Sequence, residues 1–360
     1  MASARRMNGR NRGSGAARGV LVLFLLLFLA AGAAAAWFVF VPFGPSQPTL
    51  VEILPGSSTV RIARQLQAAG IVRSQYAFDA MRWLRHGTLK AGDYRFDHPE
   101  AVTEVYDHIR RGDVYTISVT VPEGANIFDI AARLQQAGFG PSQKFVDVAL
   151  QQAALIADLD PQAKTLEGYL FPDTYRIGPK EDMPQIAATM VKRFRAAAAQ
   201  IGLKQDVHSV VTLASLVERE TAVDGERPLV ASVFQNRLEK QMPLMTDPSV
   251  IYGLQLQGSW RGSIYASDLQ RDTPYNTYLH AGLPPGPVAN PGIKALRAAM
   301  APAQTDYLYF VASGKNPQGK SLFASTLEEH NRNVAGYREA QKDAQKPDAQ
   351  KAAPAKDGPP

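Results

Sequence analysis

The chain has 360 residues, enough for two domains each with its own core, and no cysteine, which excludes disulfides and thiolate sites. The formal charge of +6 is concentrated at one end: Arg5, Arg6, Arg10, Arg12 and Arg18 precede the first acid, and the remaining 342 residues are nearly neutral. A basic binding face is therefore not implied, and no nucleic-acid partner is expected.

Residues 1–19 form a basic tail, and "VLVLFLLLFLAAGAAAAWFVFV" (20–41) follows with 22 residues free of charge and proline. At about 1.5 Å per residue this run is long enough to cross a bilayer. The preceding arginines keep the tail cytoplasmic by the positive-inside rule, so everything after Pro42 lies outside. The alternative is a cleaved signal peptide, since the alanine-rich stretch resembles a cleavage region. The apolar run is longer than the roughly 7–15 residues of such segments, which favours a retained anchor.

After a linker of turn formers (42–50) the chain repeats itself. "VEILPGSSTVRIARQLQAAGIVRSQ" matches "ISVTVPEGANIFDIAARLQQAGFGPSQ" at an offset of 68, pairing Gly56 with Gly124, Leu66 with Leu134 and Gly70 with Gly138. Each copy reads as a strand, a turn, and an amphipathic helix ended by glycine. Between them, 89–96 reads as a strand and 100–113 as a helix. Residues 51–150 are thus expected to form a duplicated α+β region, serving either as a stalk or as a glycan-binding module.

A catalytic region is expected over 151–340. "TLEGYLFPDTYRI" (165–177) opens it, followed by helices near 184–201, 207–222 and 226–240. Residues 243–302 are rich in proline, glycine and aromatics, which suggests a loop-built cleft on a helical scaffold. A strand is expected at 306–313, a helix at 326–340, and a disordered tail at 341–360.

The chemistry centres on "LASLVERETA" (213–222). On a helical wheel Val210, Leu213, Ala214 and Val217 form an apolar stripe, with Glu218 and Glu220 flanking it on opposite sides. The two acids cannot share one proton, and the wheel does not choose between them. A glutamate at the edge of an apolar surface holds its proton to higher pH and can donate it to a leaving oxygen. The plainer reading is a surface carboxylate paired with Arg219 or Arg227. The six histidines, at 86, 98, 108, 208, 280 and 330, lack metal-ligand spacing, and there is no S-x-x-K or phosphate loop, so neither metal nor cofactor is expected.

"EGYLFPDTY", "LASLVERETA", "VFQNRL", "MTDPSVIYGL", "PYNTYLHAGLPPGPVANPG" and "DYLYFV" occur in this order. Together they resemble the YceG-like family of membrane-anchored endolytic murein transglycosylases, over roughly residues 51–337. The resemblance implies an α+β chain: an N-terminal transmembrane helix, a LysM-like repeat region, and a mainly helical catalytic domain. It implies single-pass anchoring in the inner membrane, peptidoglycan glycan strands as substrate, and synthases (penicillin-binding proteins) as partners. Glu220 matches the family's catalytic glutamate, and Glu218 the other acidic position, supporting or substrate-facing. The implied reaction cleaves the β-1,4 bond between N-acetylmuramic acid and N-acetylglucosamine without water, leaving a 1,6-anhydro end. Asp247, Tyr275, Asn276 and Thr277 are further candidates for substrate binding, and Asp247 would be the second carboxylate of a hydrolase. "GLPPGPVANPG" reads as a rigid cleft wall. A non-catalytic glycan-binding scaffold is the remaining alternative.

Overall fold

The computed structural model describes residues 13–313 and 320–344. The tail expectation beyond Ala344 and most of the basic tail lie outside them. The described residues are mixed α/β, with twelve α-helices and three two-stranded sheets. Two compact units divide at Ile117 and Ser118, so the second copy of the repeat belongs to the larger unit rather than to a joint 51–150 region.

The first unit begins with α1 (Gly13–Phe40), whose apolar stretch from Arg18 to Phe40 is exposed except at its last turn. Its last turn is tied to the unit: the Arg73 guanidinium sits 4.0 Å from the Trp37 ring and donates to Pro42 O (3.3 Å), and Val39 packs on the core. Strand β1 (Thr49–Ile53) pairs antiparallel with β2 (Gly92–Phe96), placing Val51 opposite Tyr94. Helices α2 (Thr59–Ala68), α3 (Gln75–Arg85) and α4 (Val102–Arg111) cover the sheet through Ile62, Leu66, Phe78, Met81, Val105 and Ile109. Gly112, at φ 77°, ends α4 where the sequence places its stop.

The second copy repeats this order: β3 (Ile117–Thr120), α5 (Ile127–Gln136), α6 (Ser142–Gln151), then β4 (Thr174–Ile177), which pairs with β3. Each copy therefore carries a second helix that its periodicity alone did not announce. Its start is fixed in both copies by equivalent glutamines: Gln67 accepts from Gln75 N (3.0 Å) and Gln135 from Ser142 N (2.8 Å).

In the larger unit, α7 (Met183–Ile201), α8 (Val207–Glu220) and α9 (Arg227–Glu239) form the scaffold. Residues 211–217 of α8 are all buried, so its body is enclosed on every side instead of presenting one stripe. The proline-rich span 243–302 holds two helices not anticipated there, α10 (Asp247–Leu256) and α11 (Ile293–Met300), both packed on α8. An antiparallel hairpin, β5 (Tyr309–Ala312) and β6 (Ser321–Ala324), and α12 (Leu327–Ala344) complete the unit.

Candidate active site

Helix α8 runs through the core and releases its chain at Glu220, where Thr221 turns extended (φ −141°). The turn is held by Val223 N donating to Thr221 Oγ1 at 3.1 Å. Two acids on the last turn consequently emerge in different surroundings.

The Glu218 side chain is only 4% exposed, and its oxygens accept from Arg227 Nη2 (2.8 Å) and Gly292 N (2.9 Å). Arg227, equally buried, also binds Asp224, which reaches Lys294. Glu218 is therefore paired with Arg227 as in the plainer reading, but buried and not on the surface; each of its oxygens accepts one hydrogen bond that helps hold α8, α9 and the start of α11 together.

Glu220 faces the other way, into a cleft of about 580 Å³ lined also by Arg219, Arg237, Met245, Asp247, Tyr278, Tyr309 and His330. Among the described residues its carboxyl group has neither a hydrogen-bond donor nor an ion-pair partner. Burial pushes its pKa up to about 7 and the Asp247 carboxylate adds to this, while Arg219 and Arg237 oppose it. The negative end of α8 acts in the same direction as burial. The group thus titrates near neutral pH, where it can give up a proton and later take one back.

Asp247 opens α10 ahead of Pro248 and accepts the Tyr278 hydroxyl at 2.7 Å. Arg237 is anchored from α9 by donating to Leu308 O (2.7 Å) and Leu244 O (2.9 Å), with its guanidinium 5.3 Å from the Tyr309 ring. Tyr309 stacks in turn on His330, whose pKa is lowered by burial and then by Arg237. Part of the cleft lining is thus aromatic, a surface that suits the apolar face of a sugar.

The structure brings Glu220 and Asp247 together but not the rest of the expected set. Asn276 is fully buried: its Nδ2 donates to Leu269 O and Arg271 O, and its Oδ1 accepts from Tyr278 N. Thr277 Oγ1 accepts from Thr246 N (3.0 Å) and bonds Ser249 Oγ (2.8 Å). Both are corrected from sugar contacts to loop organisers, because folding has used their polar atoms. Tyr275 packs edge-on against Tyr252 and lines a different cavity, with His208 and Pro285. The "GLPPGPVANPG" span is likewise a strut and not a wall of this cleft. Val288 N binds Ser215 Oγ of α8, and Asn290 bridges Ala125 O, Leu170 N and Glu167. Glu167, fully enclosed with its pKa raised to about 8 by burial, also accepts from Ile127 N.

Tyr278, Arg237, Tyr309 and His330 escaped selection by sequence. Tyr278, Arg237 and Tyr309 sit inside quoted motifs; His330 comes from a helix with no chemical signature of its own. Among the described residues, no group of His, Asp and Glu side chains has metal-binding spacing.

The YceG-like family model matches residues 51–336. The endolytic murein transglycosylase of Bacillus subtilis (strain 168) is 34% identical over 309 residues, covering 80% of this chain and 84% of that protein. The endolytic murein transglycosylase of Streptococcus pneumoniae serotype 2 is 30% identical, with 80% and 58% covered. A crystal structure of a YceG-like protein from Listeria monocytogenes aligns with a TM-score of 0.51 at 32% identity, over 80% of this chain and 99% of the other. The match spans the repeat, the α8 glutamates and the cleft-lining hairpin alike: the chain belongs to the YceG-like family.

Proposed function

We propose that this protein is a membrane-anchored endolytic peptidoglycan transglycosylase in which Glu220 is the sole catalytic carboxylate. One observation carries the reading: a carboxyl group with a pKa near 7 and no internal partner, held in a cleft whose lining is partly aromatic. The names of the relatives in Bacillus and Streptococcus support it.

In the proposed reaction Glu220, protonated, gives its proton to the oxygen linking N-acetylmuramic acid to N-acetylglucosamine. The muramic 6-hydroxyl closes on its own C1 and returns its proton to Glu220, leaving a 1,6-anhydro end and regenerating the acid. The Asp247 charge helps Glu220 keep its proton before the transfer, and Arg219 and Arg237 favour the carboxylate after it. Glu218 supports the site through Arg227, and Asn276 and Thr277 position Tyr278 and the start of α10.

The paired strand–helix–helix–strand units are read as LysM-like modules spacing the catalytic part (151–340) from the membrane. Residues 20–41 are read as a retained inner-membrane anchor, with 1–19 cytoplasmic and the remainder periplasmic. The length of the apolar run, 23 residues from Arg18 to Phe40, supports retention. Cutting nascent strands beside the synthases would end their elongation.

The test is the chemistry of the new ends. Full-length protein in detergent should release internal fragments that end in anhydro-muramic acid and resist borohydride reduction. Reducible ends would mean a hydrolase using Asp247 as its second carboxylate, and binding without fragments would mean a scaffold.

A further inference from the structure

A second groove, of about 450 Å³, adjoins the Glu220 cleft in the larger unit; Arg219 lines both. It runs over residues 122–125 and along α5, where Asp129, Arg133 and Gln136 face it. Its charges are unequally committed. Glu123 is drawn toward Arg227 (3.8 Å), and Asp129 caps its own helix by accepting from Asn126 N. Arg219 gives one N–H to Gly124 O at 3.2 Å and acts on Glu220 only through its charge; among the described residues neither it nor Arg133 forms a salt bridge. The groove therefore offers two guanidinium groups to an incoming anion.

We propose that this groove is an extension subsite for the peptide stem on a sugar next to the scissile bond, with Arg133 and Arg219 taking stem carboxylates. The inference rests on the transglycosylase reading. An internal cut needs strand bound beyond the reacting pair, and each stem carries carboxylates well clear of the sugar ring. Arg219 directly precedes Glu220, so its position couples stem capture to the acid.

The test is the affinity of full-length Glu220→Gln protein in detergent for two preparations of uncrosslinked strands, one with intact stems and one with stems removed by an amidase. Stem-bearing strands should bind more tightly, and Arg133→Gln should lower the ratio of the two affinities about tenfold, with Arg133→Lys retaining most of it. Equal affinity of the parent protein for both preparations, or tighter binding of stripped strands with their bare lactyl carboxylates, would overturn the proposal. So would an unchanged ratio in Arg133→Gln. Cleavage by protein retaining Glu220 is followed in parallel: an Arg133-dependent stem preference without anhydro ends would contradict the reaction and leave the subsite standing.

A separate observation concerns α3. Its inner face buries Phe78 and Met81, yet its outer face is also apolar, with Tyr76, Trp83 and Leu84 exposed by 77, 82 and 72%. The helix starts two residues after Arg73, which is fixed on Trp37 and Pro42 at the end of the apolar run. Trp83 lies just over two turns further, about 12 Å along the axis, within reach of an interfacial layer. We infer that this face rests on the outer surface of the bilayer that α1 crosses, a reading that depends on the anchor being retained. Full-length protein with Trp37→Phe and Trp260→Phe, reconstituted in vesicles of brominated phosphatidylcholine, should show quenched Trp83 fluorescence. Unquenched Trp83 overturns the inference; a Trp83→Phe, Trp260→Phe protein, with Trp37 as its sole tryptophan, shows whether the anchor itself is inserted.

Discussion

Two glutamates two positions apart have opposite fates, and the difference is one of partners. Glu218 is neutralised by Arg227 inside the fold, whereas Glu220 meets the cleft unpaired. Glu218→Ala should destabilise the protein by about 2 kcal/mol, because it removes one acidic partner of a buried guanidinium and leaves Gly292 N without its acceptor, measurable as a lowered denaturation midpoint. Glu220→Gln should do the reverse at alkaline pH. The folded-state pKa is raised from the ordinary 4.5 to about 7, so the folded chain binds more protons across that window and its stability falls as pH rises through it. The Gln variant lacks this loss: it should melt higher than the parent at pH 8 and alike at pH 4, by calorimetry. The wheel placed the two acids on opposite sides of α8 but could not tell them apart, because their partners, Arg227 and Gly292 on one side and the Asp247 cleft on the other, come from distant segments.

At the scale of elements, periodicity located α7, α8 and α9 closely, and glycine marked the end of α4. It did not reveal α10 and α11 in the proline-rich span; for α10 the reason is that a Pro at the first turn starts a helix as readily as it breaks one. It also could not show that Asn276 and Thr277 turn inward, since an amide that organises a loop and one that binds sugar look alike in sequence. The turn at Gly168 illustrates how elements lock. Its φ is +89°, and an added Cβ would lie 2.5 Å from Pro287 and 2.8 Å from Val211. Gly168→Ala should therefore cost about 2 kcal/mol or more by combining backbone strain with overpacking. A lowered melting temperature with product chemistry unchanged in the surviving folded enzyme is the expected result.

For the whole molecule, the ordered motifs made the family legible in the sequence. The groove beside Arg219 stayed hidden because its walls come from α5 and α8, over 80 positions apart. Retention of the anchor makes a direct forecast: protein isolated from membranes should have an intact mass that includes residues 1–41, and a mass lacking the apolar run would restore the signal-peptide alternative. The central claim is that one desolvated carboxyl performs both proton transfers. It is tested most directly by the rate of anhydro-end formation against pH for the parent, Glu220→Gln and Asp247→Asn. The account predicts a parent rate that falls as pH rises past about 7, and at least a hundredfold loss at every pH in Glu220→Gln. Asp247→Asn should remain active, with that fall moved to lower pH because the charge that helps hold the Glu220 proton is gone. Anhydro ends still formed at near-parent rates by Glu220→Gln would contradict it.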